Sequence, residues 1–134
     1  GNVLEGRDVI LKSRGEQIRS YTYVADCVSA MLTVLIRGKA GEAYNVSNPD
    51  ARASIAGFAR MIAECGSRKC LFAVPNEEER QENTPIPCAV LNPEKLRQLG
   101  WQGAYDVSRG IRHTLRIMTS LTEKCEAAEN SGNG

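Results

Sequence analysis

The sequence predicts a small α/β domain of short strands with about three main helices. Apolar residues recur at helical spacing in three places: Val24, Val28, Met31, Leu32, Leu35 and Ile36; then Ile55, Phe58, Ala59 and Ile62; then Val107, Ile111, Leu115 and Met118. Between these stretches lie short β-branched or alternating runs, and clusters of Gly, Pro, Asn and Asp separate the two kinds of segment. A length of 134 residues suffices for one domain with a core but hardly for two.

The elements follow in order. GNVLEG at the N-terminus resembles the last turn of a helix with no helix before it. Asp8–Lys12, DVILK, suits a strand, and SRGEQ after it is a glycine-containing turn. From Ile18 to Val24 the residues alternate, so Arg19, Tyr21 and Tyr23 are expected on one side and Ile18, Ser20 and Thr22 on the other. Ala25 to Arg37 is an amphipathic helix, with Gly38 and Gly41 marking its end. EAYNVS from Glu42 reads as a strand and NPD as a turn. Ser54 caps the next helix, which ends near Cys65 and Gly66. KCLFAV from Lys69 is another strand, stopped by Pro75. Asn76–Pro87 is polar, acidic and irregular, as functional loops often are. Pro93 stands at a first helical position for PEKLRQLGW, and Asp106 caps a final helix. The tail from residue 122 is polar and expected to be disordered. The total is three or four strands.

Composition excludes several classes of function. With 17 basic and 16 acidic residues the formal net charge is +1, far from the basic footprint of a nucleic-acid binder. No 18-residue apolar run exists, so no membrane-spanning helix is expected, and the polar N-terminus does not read as a signal peptide. Five cysteines, an odd number, match neither C-x-x-C nor zinc-ligand spacing. They suit a reduced, cytoplasmic setting.

Catalytic motifs are missing too. No G-x-G-x-x-G or P-loop occurs, and no tyrosine is followed four residues later by lysine. The single histidine, His113, reads as an ordinary helix-surface residue, without the orienting third group that a Cys–His nucleophile pair needs.

Three motifs in register point to a family. RSYTYVADCVSAM resembles the R-x-Y/F-x-x-V-x-D segment of the nucleotide-sugar epimerases and dehydratases, members of the extended short-chain dehydrogenase/reductase family. GEAYNVSNPDARASIAGFARMIAE is similar to that family's G-x-x-Y-N-V-G/S strand, turn and helix. AVLNPEKLRQLGW followed by YDVSRGIRHTL resembles its closing L-D-x-x-K-L-x-x-L-G-W and D-x-x-x-G-I pattern. Order and spacing agree from about Val9 to Met118.

The resemblance implies a small C-terminal substrate-binding domain over residues 1–121, with the Rossmann domain absent from the chain. NAD or NADP and the catalytic Ser/Thr-Tyr-Lys set would belong to that missing domain, and this fragment would bind no cofactor and be inactive alone. Its partners would be a nucleotide-diphosphate-sugar and the N-terminal Rossmann domain of the same protein. The full-length enzyme would be an NAD-dependent epimerase (isomerase) or 4,6-dehydratase (lyase).

Within the resemblance Arg19 matches the arginine that grips the substrate diphosphate, a task suited to a planar and permanently charged guanidinium. Taken without the family, Arg19 reads as a surface arginine with its stem laid over Tyr21 or Tyr23. Arg80 stands where relatives carry a second diphosphate arginine, although Glu77, Glu78, Glu79 and Glu82 are equally available as its ion-pair partners. Val9 and Ile10 fall in the strand that approaches the nucleotide base in relatives. Asp26 reads as structural, Tyr21 and Tyr23 as packing residues, and Trp101 as a core plug. Asn92 departs from the usual Asp but can also cap a helix. Two alternatives stand beside this reading: a non-catalytic binding or assembly module of the same fold, and an unrelated α/β interaction domain.

Overall fold

A computed structural model describes residues 2–74 and 86–131, with side chains described as far as residue 124. Arg80 and the acidic stretch around it lie outside the described residues.

Among the described residues five short strands form two small sheets. Strand β1 (Val9–Leu11) pairs in parallel with β4 (Cys70–Phe72), Val9 opposite Cys70 and Ile10 opposite Leu71. Strand β2 (Ile18–Ser20) is the middle strand of the second sheet. It runs antiparallel to β3 (Arg52–Ser54) and parallel to β5 (Cys88–Ala89), with Arg19 opposite both Ala53 and Ala89. Gly15, in the turn before β2, has a φ of +61°. A Cβ there would lie 2.7 Å from the Ala56 backbone nitrogen, so glycine alone lets this turn pass so close to a helix.

The described residues form four helices beside the sheets: α1 (Val24–Arg37), α2 (Ile55–Cys65), the single-turn α3 (Glu94–Arg97) and α4 (Val107–Ser131). Helix α2 is capped as the sequence predicts, the Gly57 N–H donating to Ser54 Oγ over 2.9 Å. Asp106 Oδ1 accepts from the Arg109 N–H at 2.7 Å and starts α4. Asn92 Oδ1 likewise accepts the Glu94 N–H at 2.9 Å, so the Asn-for-Asp departure leaves this cap intact.

Two apolar clusters hold the fold. Ala30, Leu96 and Trp101, with Val34, Val46 and Leu99 around them, fasten α1 to the α3 region. Trp101 is the expected core plug, and its indole N–H donates to Ser29 Oγ at 2.9 Å. Ala51, Val107 and Ile111, packed by Tyr21, Phe58, Ile62 and Leu115, join α2, α4 and the second sheet.

The structure corrects three expectations. Residues 42–47 belong to no strand. Side chains hold this stretch and its continuation instead: Ser47 Oγ lies 2.9 Å from Ser20 Oγ, and Asn45 Nδ2 donates to the Asn92 carbonyl at 3.1 Å. The alternating run from Ile18 is a strand only to Ser20, because its partner β3 ends there; Tyr21 instead donates its N–H to the Ala51 carbonyl. Helix α4 continues past residue 122 to Ser131, in keeping with the helix preference of the Glu, Lys and Ala residues there. Finally, α1 turns the apolar face expected in the core outward, with Leu35 80% and Ile36 77% exposed. It buries the small face carrying Asp26 and Ala30.

Among the described residues no helix is long and apolar enough to cross a membrane, and no group of three His, Cys, Asp or Glu side chains gathers as a metal site. Cys27, Cys65, Cys70 and Cys88 are free thiols.

Candidate functional site

A cleft of about 620 Å³ opens between the β1–β2 region and α4, mostly apolar in its walls. Strand β1 contributes Val9 and Ile10, and the end of β2 contributes Ser20, Tyr21 and Tyr23. Helix α2 adds Phe58 and α4 adds Val107, Gly110 and Ile111. Tyr21 stacks flat on Phe58, ring centroids 4.1 Å apart and planes within 1°. Burial raises the Tyr21 phenol above its ordinary pKa of 10.0, opposed in part by the nearby Arg19 charge. Its hydroxyl therefore stays neutral near pH 7.

Arg19 lies one residue before this wall, on the middle strand of its sheet. Its Nη1 donates to the carbonyls of Ile18 at 2.8 Å and Ile86 at 3.2 Å. No carboxylate among the described residues pairs with it; the ion pairs there are Arg7–Glu5 and Lys95–Glu42. Arg19 is not itself among the residues lining the cleft. The sequence expectation of Arg19, Tyr21 and Tyr23 on one groove is thus corrected: strand geometry ends at Ser20, and only the tyrosines reach the cleft. Val9 and Ile10 do meet them there, Ile10 being 57% exposed.

Beyond the cleft an aromatic group escaped the sequence reading. Tyr23 OH lies 2.6 Å from His113 Nδ1, and both rings pack on Tyr105, at centroid distances of 4.4 and 5.7 Å. His113 is therefore half-buried and bonded, not the plain surface residue expected. Gly110 lets the helix come this close, since a Cβ there would sit 3.3 Å from the Tyr23 ring. Asp26 fixes the third ring. Its carboxylate is 3% exposed and accepts the N–H groups of Ala104 and Tyr105, each at 3.0 Å. Asn48 Nδ2 adds a bond to the Tyr105 carbonyl at 2.8 Å. Asp26 is structural, as expected, but its bonds go to a distant loop instead of its own helix. Tyr23 and His113 are 90 positions apart, so no local pattern could have announced their pairing.

Residues 1–47 match the NAD dependent epimerase/dehydratase family. The chain is 30% identical over 131 residues to dTDP-glucose 4,6-dehydratase 1 of Escherichia coli, a match spanning 91% of this chain and 35% of that protein. It thus spans about a third of the length of such relatives. In fold it is similar to UDP-glucose 4-epimerase of Thermotoga maritima, solved with UDP-glucose, at a TM-score of 0.73 and 20% identity, covering 90% of this chain and 38% of that one. It is also similar to dTDP-glucose 4,6-dehydratase of Bacillus anthracis, solved with NAD, at 0.70 and 22% identity over 86% and 35% of the two chains. The match over residues 1–47 and the sequence identity to the dehydratases support an extended short-chain dehydrogenase/reductase domain of the NAD-dependent epimerase/dehydratase type, and the solved structures share its fold.

Proposed function

We propose that residues 1–121 are the nucleotide-sugar-binding part of a longer cytoplasmic NAD(P)-dependent epimerase or 4,6-dehydratase, and that Arg19 grips the substrate diphosphate. The observation that carries this reading is the state of Arg19. It is a half-buried cation with two backbone carbonyls as neighbours and no carboxylate among the described residues. Carbonyl dipoles compensate a guanidinium less well than an anion does, so a diphosphate would draw it away from Ile18 and Ile86 into a bidentate, charge-assisted pair. Val9 and Ile10 then offer an apolar rim to the base, and the tyrosine-lined cleft receives the remainder of the ligand. Arg80 is proposed as the second diphosphate arginine.

The proposal places the dinucleotide outside the elements described here. Strand β2 enters α1 through Tyr21, Thr22 and Tyr23, and β3 runs directly into α2 at Ser54 and Ile55, so neither junction has the glycine turn that cradles a pyrophosphate. Cofactor and chemistry are assigned to the remainder of the protein. The outward stripe of α1, with Val24, Val28, Met31, Leu32, Leu35 and Ile36, is the surface proposed to meet it. Full burial of each such side chain is worth about 1.5–3 kcal/mol, enough to drive a stable union.

The contribution of this part is grip at a distance from the reacting carbon, which positions the sugar and so favours turnover. NMR titration of the 134-residue chain with dTDP-glucose and UDP-glucose tests it. Saturable shifts in the Arg19–Tyr23 amides, absent in Arg19→Ala, are expected. No shift at millimolar ligand, repeated in the protein that includes the cofactor domain, would overturn the reading.

A further inference from the structure

A second cleft, of about 460 Å³, is bordered by Tyr105, Arg109, Arg112, His113 and Arg116. The four α4 residues stand at i, i+3, i+4 and i+7 and so share one face of the helix. Arg109 Nη1 donates to the Ala104 carbonyl at 3.0 Å, while its guanidinium lies 4.8 Å from the centroid of the Tyr105 ring. Arg112 donates to Ser108 Oγ. None of the three arginines has a carboxylate partner among the described residues. Like charges three and four positions apart weaken a helix by a few tenths of a kcal/mol each, so folding does not account for this spacing.

We propose that this cleft binds a soluble phosphate-bearing small molecule, at a site separate from the one assigned to Arg19. Three guanidiniums on one helix face offer planar donor forks to phosphate oxygens, and the Tyr105 and His113 rings supply a flat wall. The His113 imidazole is oriented by its bond to Tyr23 OH, and Tyr23 also lines the apolar cleft. Occupancy of the basic cleft therefore bears directly on a wall of the first one. Arg19 borders neither cleft, so the two anion sites can be tested separately.

The test is an NMR titration of the 134-residue chain with inorganic pyrophosphate, with ionic strength held constant by NaCl and the His113 ring protons and arginine side-chain N–H signals followed. Saturable shifts are expected at His113, Arg112 and Arg116, with the affinity read at these three residues at least tenfold weaker in Arg112→Gln/Arg116→Gln. Circular dichroism establishes that the double variant folds; if it does not, Arg116→Gln alone, at an exposed position, must weaken binding. Equal shifts with acetate, unchanged affinity in the arginine variants, or recruitment to phosphatidic acid vesicles without any pyrophosphate response would each overturn the proposal.

Discussion

Helices α1 and α2 carry equally clear apolar stripes, yet only α2 hides its own. Ile55, Phe58, Ala59 and Ile62 turn toward α4 and the sheets, where Tyr21, Val107 and Ile111 meet them. The α1 stripe faces outward, and the helix is held instead by its narrow side: Ala30 against Leu96 and Trp101, Ser29 under the indole N–H, and Asp26 bonded to two backbone amides. Periodicity reveals which residues avoid water, but it does not say whether their partner is in the same stretch of chain. The exposed α1 stripe is the surface proposed above to meet the rest of the protein.

That contrast can be broken at its strongest point first. Asp26→Ala removes two charge-assisted hydrogen bonds and leaves the Ala104 and Tyr105 N–H groups without partners. At about 1.5–3 kcal/mol for each such bond, the expected loss is roughly 3–5 kcal/mol, read by urea denaturation. A loss below about 1 kcal/mol would mean that the polar side does not anchor α1. Next, Phe58→Ala strips the stacking partner of Tyr21 from α2. Full deletion of a buried Phe side chain costs about 3–5 kcal/mol, and this ring is half-buried, so about 2 kcal/mol is expected. Last, Leu35→Gln with Ile36→Gln strikes the exposed stripe of α1. In the 134-residue chain the change should stay within about 0.5 kcal/mol, the usual range for exposed positions. In the protein carrying the cofactor domain the same pair should lower Tm clearly. Equal small effects in both contexts would refute the stripe as an interdomain surface.

Much of this was legible in the sequence where local physics decides. The helical stretches, the Ser54 and Asp106 caps and the Trp101 plug all follow from spacing and side-chain chemistry. Strand β3 was hidden because Arg-Ala-Ser has little strand preference and is extended only through pairing with β2. The reverse held for EAYNVS: it has strand composition, but no ladder partner among the described residues. Val9 and Ile10 were named through the resemblance and Tyr21 and Tyr23 as packing residues; all four line one cleft. The Tyr23–His113–Tyr105 group was out of reach, because it depends on Asp26 tying a loop 78 residues away and on the missing side chain of Gly110.

Calorimetric titration with dTDP-glucose of the longer protein carrying the proposed cofactor domain, wild type against Arg19→Ala, bears most directly on the role proposed for this part. Loss of charge-assisted bonds to a diphosphate, worth about 1.5–3 kcal/mol each, should weaken binding by roughly 10- to 100-fold while leaving Tm nearly unchanged. Equal affinity in the two proteins would contradict the assignment of Arg19 as the diphosphate grip.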